Sequence, residues 1–197
     1  MSTPEKRSFD RGKVLLLSLC HFIHDVYSSF LAPLLPFIIE KFGLSLTQAG
    51  FASTVMQLPA LMNPFIGKLA DRVSVKYFII LAPAMTAVPM SLLGVAPSYG
   101  VVLVLLFCAG ISVSLFHVPA PALIYKVAGD KTGRGMSLYM TGGELARTLG
   151  PMTIIGAVSL LGFEGYYPVM VFGMAASVVM YFKFKNMPVT INPRSTI

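Results

Sequence analysis

Three histidines, two of them beside an aspartate, are the groups in this chain best suited to move protons or hold cations. His21, His24 and Asp25 form a His-x-x-His-Asp run, and His117 lies far along the chain. Glu144 and Arg147 stand three residues apart, and Gln57 and Asn63 add amide groups. Residues three or four apart share a helical face. His21, Asp25 and Ser28 thus make one stripe, Gly110, Ser114, His117 and Pro121 a second, and Met140, Glu144, Arg147 and Pro151 a third. Imidazole and carboxylate side by side can handle a proton, and a guanidinium can grip a carboxylate or phosphonate. Metal ligation is conceivable too, but no cysteine at ligand spacing and no second cluster completes a site, so no metal is assigned. Plainer readings stand beside these: Glu144 and Arg147 as a self-neutralising ion pair, His117 as a packed ring bonded to a carbonyl. Asp25 is hardest to explain away, since no Lys or Arg adjoins it in sequence.

The elements that must position these groups follow from composition. The 197 residues are 55% hydrophobic and 12% charged, with no tryptophan. Soluble domains are about one-quarter charged, so a soluble domain, a disordered chain and a disulfide scaffold are excluded in favour of an all-α integral membrane protein. Cys20 and Cys108 lie in apolar stretches and read as reduced, packed thiols. A hydrocarbon core about 30 Å thick takes about 20 helical residues. That rule predicts six spans: Val14–Ile39, Ala49–Leu69, Tyr77–Ala96, Val101–Tyr125, Met136–Leu161 and Tyr166–Phe184. Residues 1–13 form a short leading segment, 14–184 the bundle and 185–197 a tail.

All but two of the 15 Lys and Arg residues, Lys41 and Arg147, fall on one side of that topology. The positive-inside rule makes that side cytoplasmic, with both termini on it, in a multi-pass protein of the cell (inner) membrane. The net charge of +7 then needs no nucleic acid partner. The first apolar run outlasts a signal peptide's usual length and lacks a clean cleavage site, so it reads as a span.

By helical rise, Asp25, His117, Glu144 and Arg147 lie within about 6 Å of the midplane, and His21 within about 8 Å. The third and sixth spans hold nothing more polar than Thr86, Ser91 and Ser177 and are expected to face lipid. Spans one, two, four and five look inward, with Gln57 and Asn63 on different faces of the second. Paired prolines in the first and fourth spans (Pro33 and Pro36, Pro119 and Pro121) hint at a 3+3 inverted repeat.

The loop after the second span, Gly67-Lys68-Leu69-Ala70-Asp71-Arg72-Val73-Ser74-Val75-Lys76, resembles the major facilitator signature G-x-x-x-D-R-x-G-x-R/K, with Ser74 replacing a glycine. Gly142 to Pro151 resembles the Gly-Pro motif of exporters in that superfamily. His21-Phe22-Ile23-His24-Asp25 and Gly110 to His117 are similar to H-x-x-N-D and G-x-G-x-x-x-F-H of its fosmidomycin-resistance-like branch. Members normally have twelve helices in two halves, and this chain matches the amino-terminal half.

The resemblance implies a half-size secondary transporter, acting in the bilayer after pairing with a copy of itself or a paralogous half, or else a piece of a longer transporter. It would move a small anionic or amphipathic solute by alternating access, coupled to protons. Substrate contact is assigned to His21, Gln57, His117, Glu144 and Arg147, proton coupling to Asp25 and His24, and gating to Gly67, Asp71, Arg72, Gly150 and Pro151. No cofactor is implied, and no nucleotide-binding loop is present. Two other readings are an intramembrane metal-dependent enzyme using His21, His24, Asp25 and His117, and a non-transporting membrane scaffold subunit.

Overall fold

The computed structural model describes residues 8–70 and 76–185, and among them every regular element is helical. The helices are α1 (Arg11–Ser28), α2 (Leu31–Phe42), α3 (Leu46–Gln57), α4 (Asn63–Ala70), α5 (Lys76–Ser91), α6 (Tyr99–His117), α7 (Ala120–Ala128), α8 (Thr132–Leu161) and α9 (Met170–Phe184). Among the described residues, three helical stretches are long and apolar enough to cross a membrane: Arg11–Phe42, Tyr99–Leu161 and Tyr167–Phe184. The second, at 63 residues, exceeds by far the length of one crossing.

Local chemistry sets the helix ends. Asp10 caps α1 by accepting from the Lys13 backbone N–H at 3.0 Å. That bonding and the Lys13 ammonium hold its carboxyl below the ordinary range. Ser45 and Gln48 make a reciprocal capping box on α3. Gly43, at φ 60°, ends α2 in the left-handed conformation that costs a residue with Cβ. Between α3 and α4 the chain tightens into a 3-10 segment, Leu58–Met62, with Pro59 near its start. Serine and phenylalanine interrupt the first expected span at 29–30, and valine and proline the fourth at 118–119.

α1 lies at the middle of the packing, against α5, α7, α8 and α9, while α5 also packs on α6 and α9. One core cluster joins Leu17, Ile79, Phe116, Ile124 and Tyr139; a second joins Phe30, Leu34, Met90, Leu106 and Tyr166. The expectation that the third span faces lipid is corrected here. Ile79, Ala82, Thr86, Ala87, Met90 and Ser91 of α5 are all buried. Apolarity alone does not separate a lipid-facing helix from a packed one, and the small residues of α5 let three neighbours approach. α9 does keep Phe172, Val178 and Phe182 exposed, yet turns Ser177 inward to accept from the Ala84 N–H at 2.9 Å.

α5 stops at Ser91 rather than at Ala96 because the following turn is crowded. A Cβ at Gly94 would fall on the Phe163 carbonyl, and the Tyr166 hydroxyl donates to Met90 O at 2.8 Å. Lys41 fastens the same end, donating to Gly94 O at 2.7 Å and to Glu164 at 2.6 Å. Lys41→Ala is expected to lower unfolding free energy by about 1–2 kcal/mol, the worth of one or two charge-assisted bonds. Glu164→Gln should cost less, since the Glu164 side chain is 71% exposed. Thermal unfolding in detergent measures both, and equal losses would place the main contribution on the exposed pair rather than on the carbonyl.

Candidate functional site

The site rests on a close seam between α1 and α8. Gly142, Gly143 and Gly150 face α1 so tightly that a Cβ on each would meet Ser18 O, the His21 ring, or Ser29 Oγ and Val26 O respectively. Glycine and Ala146 at these positions let the two backbones approach. The His21 ring is thereby pressed on the Tyr139 ring, stacked at 4.0 Å.

Contact with α8 also fixes how His21 presents itself. Its Nδ1 lies 2.8 Å from the Tyr139 carbonyl oxygen, which can only accept, so Nδ1 carries the hydrogen. Nε2 lies 3.2 Å from Asp25 Oδ2. That distance suits an ion contact, but the alignment is not that of a hydrogen bond, and Nε2 is a buried nitrogen without a hydrogen-bond partner. The other carboxylate oxygen, Oδ1, accepts from His117 Nε2 at 3.0 Å. His117 is the last residue of α6, just before the break at Val118 and Pro119. Its side chain is 34% exposed, whereas those of His21 and Asp25 are at 4% and 3%. Two imidazoles from different helices therefore converge on one buried carboxylate, and only His117 opens outward.

His24 belongs to a different network. Ser112 donates to Ala82 O at 3.2 Å and Thr86 donates to Ser112 Oγ at 2.7 Å, leaving Thr86 Oγ1 to accept from His24 Nδ1 at 3.0 Å. The ring stacks on Phe116 and is fully buried. The relay ties α1 to α5 and α6. Sequence reasoning paired His24 with Asp25 and missed Thr86 and Ser112, whose one signal was a hydroxyl in an apolar run.

Gln57, Glu144 and Arg147 are exposed and do not join the Asp25 cluster. Arg147 donates to Glu144 at 3.2 Å, each side chain being 63% exposed. Gln57 lines a cavity of about 560 Å³ with Ser28, Ser29, Ser53, Met56 and Ser114. Of the gating residues, Gly67 lies on α4, where an added Cβ would come into van der Waals range of Val118, while Gly150 and Pro151 lie within α8. Asp71 and Arg72 lie outside the described residues.

The sequence profile of the Major Facilitator Superfamily matches residues 17–196. An uncharacterised MFS-type transporter of Bacillus subtilis (strain 168), YfnC, is 27% identical over 172 residues, covering 85% of this chain and 42% of the relative. The fosmidomycin resistance protein of Escherichia coli (strain K12) is 26% identical over 152 residues, covering 77% of this chain and 37% of the relative. The chain thus spans about two-fifths of the length of these curated relatives. No solved structure matches it.

Proposed function

The chain belongs to the major facilitator superfamily, and from that premise we propose that it is one half of a secondary active transporter. In this reading it crosses the inner membrane six times with both ends cytoplasmic. It pairs with a second six-helix half, a copy or a paralogue, and moves a small anionic or amphipathic solute by alternating access, drawing on a proton gradient. Halves of this fold are parallel repeats, so two such chains can pair without inverting either one. One relative carries the name of an MFS-type transporter, in line with this reading over a catalytic one.

The observation that carries the proposal is the set of polar groups exposed on otherwise apolar helices, Gln57, Glu144 and Arg147, with His117 half-exposed. One charge facing lipid costs about 3 kcal/mol on insertion scales, so such a face is better used as a cavity wall closed by the second half. There Arg147 meets an anionic group of the solute, with Glu144 as its counter-ion in the empty state, and His117 and Gln57 add hydrogen bonds. Gly67, Asp71 and Arg72, together with the Gly150–Pro151 step, set the balance between inward- and outward-open forms.

The test is reconstitution of the purified chain. We expect particles of two chains in detergent and, in vesicles, accumulation of a solute that a protonophore abolishes. The name of one relative makes fosmidomycin the first solute to try, followed by a panel of small organic anions. Cysteine crosslinks that find the only interface on α5 and α9, or absence of gradient-dependent accumulation across the panel, would overturn the proposal.

A further inference from the structure

We propose that His21, Asp25 and His117 form a binding site for a divalent transition-metal cation of the zinc class, bridging α1 and α6. The site stands on side-chain geometry and is independent of which solute the chain moves. The ligand atoms of these three residues all lie within 4.8 Å of one another. Asp25 sits between the rings, 3.2 Å from His21 Nε2 and 3.0 Å from His117 Nε2. Tetrahedral zinc with bonds of about 2.0–2.1 Å places its ligand atoms about 3.4 Å apart. The two contacts, which end on different oxygens of the carboxylate, are within a few tenths of that spacing; the group as a whole lies within 4.8 Å, and His117, at the helix end and partly exposed, is the ligand that would move in.

His21 gives the independent observation. It is 3% exposed, and its Nε2 has no hydrogen-bond partner although Asp25 Oδ2 is 3.2 Å away. With the hydrogen placed on Nδ1 by the Tyr139 carbonyl, Nε2 is left with a buried lone pair beside the Asp25 carboxylate. Oδ2 is within 3.2 Å, yet this buried nitrogen has neither a donor for its lone pair nor an aligned acceptor. A proton on Nε2 would favour a straight N–H···O bond, and the contact is not aligned as one. A metal cation fits the geometry better. A ligating histidine that donates its other ring N–H to a backbone carbonyl is the usual second support of a metal site. His117 would ligate through Nε2 with its hydrogen on Nδ1, and the fourth position would open on its exposed side.

Ligand type selects the metal. Two imidazole nitrogens and one carboxylate suit zinc, cobalt or nickel, whereas magnesium and calcium take oxygen ligands. His24 is not among the residues whose ligand atoms converge within 4.8 Å, and the Sγ of Cys20 is engaged with Ile79 O at 3.6 Å.

Cobalt(II) titration of the purified full chain without an affinity tag tests the proposal, read by visible absorption and by thermal unfolding. We expect one cobalt per chain with bands of four-coordinate intensity, displaced by zinc and not by magnesium, and a rise in Tm with metal. Asp25→Asn should abolish binding and His117→Gln weaken it at least about tenfold, with both variants unfolding like the parent when no metal is added. His117 is half-exposed, so its variant remains informative if Asp25→Asn folds poorly. Absence of saturable binding, or affinity unchanged in either variant, overturns the site. Binding without transport would leave the site standing and overturn the transporter reading; transport without binding would do the reverse.

Discussion

Asp25→Asn is expected to fold as the parent does and to lose gradient-driven accumulation by at least about tenfold, a barrier change of about 1.4 kcal/mol. The amide matches what surrounds it. Its oxygen can accept from His117 Nε2 in place of Oδ1, and its NH2 can donate to the His21 Nε2 lone pair in place of Oδ2. Stability should therefore change by less than about 1 kcal/mol. What vanishes is the negative charge held between two rings, which on the proposed function is the group that a driving proton meets. Exchange of solute between compartments of equal pH should persist, because Gln57, Glu144 and Arg147 lie outside the cluster. Asp25→Ala is the contrast: it strands the His117 Nε2 donor, at about 1–3 kcal/mol. Uptake with and without a pH difference, measured beside thermal unfolding, separates these cases. Full accumulation by Asp25→Asn would transfer the role to another residue, and loss of exchange as well would make Asp25 a solute contact.

Gly150→Ala and Gly156→Ala should move stability in opposite directions, although both add one methyl group to α8. At position 150 the new Cβ would fall on Ser29 Oγ and close on the Val26 carbonyl. Ser29 cannot simply swing aside, since its hydroxyl donates to Val26 O at 2.7 Å where α1 ends. Overpacking of this kind costs about 1–3 kcal/mol. At position 156 a Cβ meets nothing within 4 Å, so alanine should stabilise the helix by up to about 1 kcal/mol. Unfolding midpoints in detergent give the comparison. Equal shifts of the same sign would show that the α1–α8 seam is looser than the structure has it.

The two stripes holding Asp25 and His117 were legible because helical spacing places His21 and Asp25 on one face and because ionisable groups stand out in apolar runs. Their meeting across α1 and α6 was not, since nothing in the spacing within one helix aims it at another. The Tyr139 carbonyl that orients His21 was invisible for a simpler reason: every residue has a carbonyl, and residue type gives no sign of which one is used. The burial of α5 escaped because lipid and protein interiors select the same side chains. His24 was misplaced by adjacency. Neighbours in a helix point about 100° apart, and the ring turned to Thr86 rather than to Asp25.

The tightened segment at Leu58–Met62 has a consequence for anyone mapping this helix with probes. Its winding advances about 120° per residue against about 100° in an α-helix, so its five residues can rotate everything after them by up to about 100°. Azimuths drawn on a single wheel from α3 therefore go out of phase at Asn63, and the different-face assignment of Gln57 and Asn63 rests on a periodicity that changes between them. A labelling scan along positions 46–70 would not follow one sinusoid. It would follow two, offset where Pro59 tightens the coil.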